Sequence, residues 1–108
     1  MLPKKNRVDK KGIDLIFKKG KFFASPNLTF KFILTGASIP PRISFIAPKA
    51  VARLAVKRNL LRRRGYTTLR KHINDFPAGL IGAFLFKKYQ DDISILEDEI
   101  KTILNKIN

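Results

Sequence analysis

"VKRNLLRRRGYTTLRK", residues 56–71, carries Lys57, Arg58, Arg62, Arg63, Arg64, Arg70 and Lys71 and not one acidic residue. Leu61, Gly65, Thr68, Leu69 and His72 recur at i, i+4, i+7, i+8 and i+11, which predicts a helix from about 52 to 74 with one narrow buried stripe. Gly65 costs such a helix about 1 kcal/mol relative to Ala, and close packing on a sheet accounts for it. The rest of the cylinder is cationic or neutral. Arg53, Lys57, Arg64 and Lys71 follow one flank; Asn59, Arg62, Arg63, Tyr66 and Arg70 follow the other. An ordinary surface helix intersperses acids for i,i+4 pairing, so this one is built to touch an anion.

The neighbouring segments supply the sheet. Upstream, "RISFIAPK" (42–49) reads as a strand closed by Pro48; downstream, Pro77 stops the helix and "AGLIGAFLF" (78–86) is apolar enough for the middle of a sheet. "LTFKFIL" (28–34) alternates, with Leu28, Phe30, Phe32 and Leu34 on a core face and Thr29, Lys31 and Ile33 on the other. The lysine marks that second face as open to solvent or ligand. A turn at Pro26 and Asn27 joins it to a short strand in "KFFAS" (21–25). Asp9 caps a helix over 10–19, with Ile13, Ile16 and Phe17 on one face, Lys18 and Lys19 at its negative end, and Gly20 as its stop. At the far end, residues 91–107 form an amphipathic helix with Ile93, Leu96, Ile100, Ile103, Leu104 and Ile107 on its stripe. Residues 1–7, with Pro3, Lys4, Lys5 and Arg7, read as a basic arm. The expected fold is α+β, a two-layer α-β sandwich of order α-β-β-β-α-β-α with a four-stranded sheet, in a single domain over 1–108.

Charge narrows the function. Of the net +15, residues 1–75 hold 19 Lys/Arg against three acids, and residues 76–108 hold four against five. Such self-repulsion opposes compaction, and a polyanion that releases counterions best offsets it. Nucleic acid is the expected partner, ahead of an anionic membrane, for which the stripe of the basic helix is too narrow. The strand content and the lack of a dimerisation heptad speak against a helix set in a DNA major groove. The absence of Cys rules out disulfides and thiolate metal sites and fits a reducing cytoplasm; no apolar run resembles a secretory signal or a membrane span. Asp9, Asp14 and Asp75 are scattered and His72 is the sole imidazole, so the chain offers no metal or acid–base set for hydrolysis.

Ala55, Val56, Arg58 and Asn59, followed by Arg62 and Arg63, resemble the basic-helix motif of the protein subunit of bacterial ribonuclease P. "PKKNR" near the start, "FKKGK" at the end of the first helix and Lys49 after the third strand extend the resemblance over essentially the whole chain. Three positions depart from the family pattern: Leu60 replaces the second Arg of Arg-Asn-Arg, Tyr66 stands where Arg is frequent, and Ile13 replaces the first of two aromatics spaced four apart, leaving Phe17. The resemblance implies a cytoplasmic ribonucleoprotein in which RNA and its magnesium remove the 5′ leader of precursor tRNA. The protein would hold the catalytic RNA and the leader and bind no cofactor of its own.

On that reading Lys49, Arg53, Lys57, Arg58, Asn59, Arg62, Arg63, Tyr66 and Arg70 contact RNA. Ile13, Phe17, Thr29, Lys31 and Ile33 line a cleft between sheet and first helix for the single-stranded leader. Phe30 and Phe32 are expected in the core, and His72 in a structural role. The alternative is a non-enzymatic RNA-binding protein, such as a small ribosomal protein, which would not call for the basic helix together with a cleft-like sheet face.

Overall fold

Over the described residues, 8–107, the computed structural model runs α1 (Lys10–Lys19), β1 (Lys21–Ala24), β2 (Leu28–Leu34), β3 (Arg42–Ile46), α2 (Ala55–Leu69), β4 (Leu80–Phe86) and α3 (Ile93–Ile107). This is the expected α+β order, with one short 3-10 turn added at Ile73–Asp75. The basic arm expected over 1–7 lies outside the described residues.

The strands are ordered β1-β2-β4-β3, so β4 is internal, antiparallel to β2 and parallel to β3. Burial on both faces explains its nearly continuous apolar sequence. On one face Leu28, Phe30, Phe32, Ile43, Phe45, Leu80, Phe84 and Phe86 meet Leu61 and Leu69 of α2 and Leu96, Ile100, Ile103 and Leu104 of α3. The Phe30 and Phe84 rings lie 4.3 Å apart and stacked, and Phe84 stacks on Phe45 at 5.0 Å. Leu34, expected on this face, is 58% exposed, because it lies beyond Phe32, the last β2 residue that β1 covers.

α1 crosses the opposite face. Asp9 caps it by accepting from the Gly12 N–H at 2.8 Å, and Ile16 is its buried residue. The Val8 N–H donates to Ser44 Oγ of β3 at 2.9 Å, and a Cβ on Gly12 would touch Ile81 of β4. α1 therefore runs from the β3 edge towards β2.

The basic helix is shorter than its periodicity suggests. The Arg58 guanidinium donates to the carbonyls of Ala52 and Arg53, at 3.1 and 2.7 Å, which a longer helix would have given to its own amides. At the other end Arg70 is the cap, and His72 leaves the helical region before the 3-10 turn. Arg53 thus sits in the loop before α2, not on its flank. His72 has the structural role expected of it: its Nε2 lies 2.9 Å from Glu97 Oε2, joining the end of α2 to α3. Glu99 was not foreseen in the interior. Its buried carboxylate accepts from Ser25 Oγ, from the Asn27 N–H at 2.7 Å and from Asn27 Nδ2 at 2.6 Å, fastening the β1–β2 turn to α3.

Candidate RNA-binding surfaces

α2 carries its charge against the grain of its own dipole. Lys57 and Arg58 lie in the first turn, where the helix is already positive; no acid sits there, no base sits in the last turn, and Leu54 offers no side-chain cap. Among the described residues, the ion pairs join His72 to Asp75 and to Glu97, and none reaches a cation of α2. Surface cations left unneutralised at a positive helix end are best offset by an external anion.

The cationic side chains are not equivalent. Asn59, Arg62, Arg63 and Tyr66 line an open pocket on α2. Arg62 Nη2 donates to Asn59 Oδ1, so the amide holds one guanidinium in place and its Nδ2 is left to face a ligand. Lys49, Arg53, Lys57, Arg63 and Arg70 are exposed. Arg58 is half-buried and committed through Nη1 to the loop carbonyls, which makes it first a brace for residues 52–54. Tyr66 requires a correction: it is 6% exposed and packs edge-on against Phe45 at 5.2 Å, and its hydroxyl accepts from the Phe45 N–H at 3.1 Å. It forms the floor of the pocket, not part of a projecting cationic flank. Leu60, in the place of the motif's second Arg, is half-buried and supplies no charge.

The sheet face under α1 can be laid out from the strand register. Phe22, Lys31, Ala83 and Ser44 form one row across β1, β2, β4 and β3; Ala24, Thr29, Leu85 and Ile46 form the row on one side, and Ile33, Ile81 and Arg42 the row on the other. α1 crosses these rows, with Gly12 by Ile81 and Phe17 by Lys31, and Ala83 is fully buried. Lys31 Nζ lies 4.9 Å from the centroid of the Phe17 ring, a cation–π contact that brings two of the expected leader-binding residues together. Phe17 remains 44% exposed. Ile13 and Thr29 are half-buried. Ile33 lies on the same sheet face, two residues beyond Lys31, and also lines a pocket with Lys19, Lys21, Phe32 and Leu34.

Phe22 is the residue that sequence reasoning missed. It is 63% exposed and opposite Lys31, so a second open ring flanks the lysine. Its neighbour Phe23 turns inward and stacks on Phe32 at 5.6 Å. Alternation in "KFFAS" requires one Phe inside and one outside without saying which.

The family model described as Ribonuclease P matches residues 2–108. Among solved structures, the chain is similar to the RNase P protein from Thermotoga maritima, with a TM-score of 0.82 and 20% identity over 94% of this chain and 97% of that one. It is also similar to the Staphylococcus aureus RNase P protein, with a TM-score of 0.78 and 15% identity over 95% and 98%. At these identities the structures share the fold. No curated protein matches the sequence.

Proposed function

The chain belongs to the ribonuclease P family, as a subunit of the endoribonuclease that matures the 5′ end of tRNA, and from that premise we propose how its two surfaces divide the work. The α2 face, with Asn59, Arg62 and Arg63 at its pocket and Lys49, Arg53, Lys57 and Arg70 around it, binds the catalytic RNA. The groove beside α1 takes the 5′ leader of precursor tRNA, with Lys31 on a phosphate and Phe17 and Phe22 against bases. Stacking of this kind contributes roughly 1–3 kcal/mol per base. Thr29 and Ile13 offer polar and apolar contact at the margins.

The observation that carries this reading is the set of α2 cations with no carboxylate partner among the described residues. Hydrolysis is assigned to the RNA with its magnesium. In support, no three His, Asp or Glu side chains among the described residues come together in a way that could hold a metal ion. The small-ribosomal-protein alternative gives way to the family match. A cytoplasmic setting belongs to the same reading; among the described residues no helix is long and apolar enough to cross a membrane.

Two variants test the division. R62Q/R63Q is expected to weaken binding to the catalytic RNA and to flatten the slope of log affinity against log salt by about one per lost phosphate contact. F17A/K31Q is expected to lower the preference of the assembled complex for precursor over mature tRNA while leaving catalytic-RNA affinity near wild type. An exchange of these two phenotypes would reverse the assignment of the surfaces.

A further inference from the structure

Phe22 reaches the α1 face because β1 pairs with β2 in one register, and the sequence of β1 does not select that register. As observed, Lys21 and Phe23 lie opposite Phe32 and Phe30 on the core side, while Phe22 and Ala24 lie opposite Lys31 and Thr29 on the α1 side. A slip of one residue that leaves Leu28 in the core would pair Ala24 with it, bring Phe22 inside opposite Phe30 and set Lys21 opposite Lys31. The slipped strand turns Phe and Ala inward where the observed one turns Lys and Phe inward, so apolar burial does not decide between them. The turn gives little support of its own. Ser25 donates its N–H to the Leu28 carbonyl at 2.8 Å, leaving Pro26 and Asn27 as a two-residue loop, and among the described residues only glycines have a positive φ. Loops of this length favour a positive φ because its twist matches that of the strands.

The hairpin is instead held from α3. The buried Glu99 carboxylate takes both side chains of the turn, Ser25 Oγ and Asn27 Nδ2, together with the Asn27 N–H. In the slipped register Ser25 leaves its place opposite Leu28 and joins the loop, and a carboxylate shut away from water loses a donor. We propose that Glu99 is a positioning residue for leader recognition: from the core side of the sheet it fixes the register of β1, and so sets the Phe22 ring opposite Lys31. Without it, Lys21 would take that place, and the outward ring would become Phe23 opposite Thr29, two residues or about 7 Å along β2. A second lysine would then stand where a base stacks. The inference rests on the reading of the α1 face as the leader site and adds to it the residue that builds that site from behind.

The test is a double-mutant cycle in the full chain. E99A removes the acceptor, and S25A/N27A removes the side-chain donors while leaving α3 intact, so the second variant decides if the first fails to fold. Each is made alone and with F22A, and the precursor-to-mature preference of the complex assembled with the catalytic RNA is measured. F22A is expected to lower that preference about tenfold, the loss of one stacked base. S25A/N27A should lower it by up to the same factor, add little in the F22A background, and leave catalytic-RNA affinity as in wild type. In the free protein, the cross-strand Hα contact between Phe22 and Lys31 seen by NMR should weaken in S25A/N27A. Wild-type preference in S25A/N27A while F22A shows its loss would make Glu99 merely structural and overturn the proposal, leaving the leader site standing. Losses that multiply in the combined variant, or a parallel fall in catalytic-RNA affinity, would overturn it too, because the effect would not run through Phe22. If F22A and F17A/K31Q both keep full preference, the leader reading itself fails and the positioning role falls with it.

Discussion

The Tyr66 hydroxyl accepts the N–H of Phe45 on β3, an edge strand whose outward amides have no strand to pair with. Tyr66→Phe keeps the ring and removes the acceptor, so it is expected to cost about 1–3 kcal/mol in urea unfolding. The salt slope for RNA should stay as in wild type; a flattened slope would restore Tyr66 to the RNA contacts. Between α2 and α3, the hydrogen bond from His72 holds the Glu97 carboxyl below its ordinary 4.5, with Lys101 and Lys71 adding to the effect and partial burial opposing it. A carboxylate with a depressed native pKa contributes stability that is full above its unfolded value and is lost as pH falls through the native one. The advantage of wild type over Glu97→Gln in urea midpoint should therefore be present at about pH 6 and fade below about pH 4; an advantage independent of pH would show that the charge is irrelevant. Neither partnership was legible in the sequence. Tyr66 sits among arginines that conceal a stripe one residue wider than the pattern suggests, and Glu97 and Glu99 read as surface acids until the fold brings His72, Ser25 and Asn27 to them.

At the scale of elements, patterns of period 2 and 3.6 were sufficient wherever one face is buried. β2 and α1 have the expected bounds, and β4 lies inside the sheet as its apolar run implies. α2 is shorter at both ends than its periodicity suggests because what stops it is tertiary: Arg58 takes the preceding carbonyls, and His72 turns towards Glu97. Register was hidden, so the pattern alone does not say that Phe22 of β1 stands opposite Lys31. The reading of Gly65 as a close-packing residue has a specific cause, since a Cβ there would fall 2.6 Å from carbons of the Phe45 ring. That ring is confined by Phe84 and Tyr66. Ala at position 65 gains about 1 kcal/mol of helix propensity but overpacks the core at a cost of about 1–3 kcal/mol. Gly65→Ala is thus expected to lower stability in urea unfolding; a rise would mean that α2 can shift away from β3 without loss.

The molecule as a whole is electrostatically lopsided, and that was legible from composition. Acids concentrate after residue 90, in and before α3, while the cations of α1, α2 and the sheet carry the excess. α3 packs on the core face beside α2, and two of its acids are taken up inside the protein, Glu97 by His72 and Glu99 by Ser25 and Asn27, rather than by the cations of α2. Composition did not reveal that α1 crosses the sheet face opposite α2 and α3, because that depends on how the strands pair. The central claim is that this chain serves as the RNA-gripping subunit and the RNA performs the cleavage. It is tested most directly by cleavage of precursor tRNA at limiting magnesium with the cognate catalytic RNA alone, the protein alone, and both together. The account predicts efficient removal of the 5′ leader by the pair, little by the RNA alone and none by rigorously RNA-free protein; cleavage by the protein alone, or no gain when it joins the RNA, would contradict it.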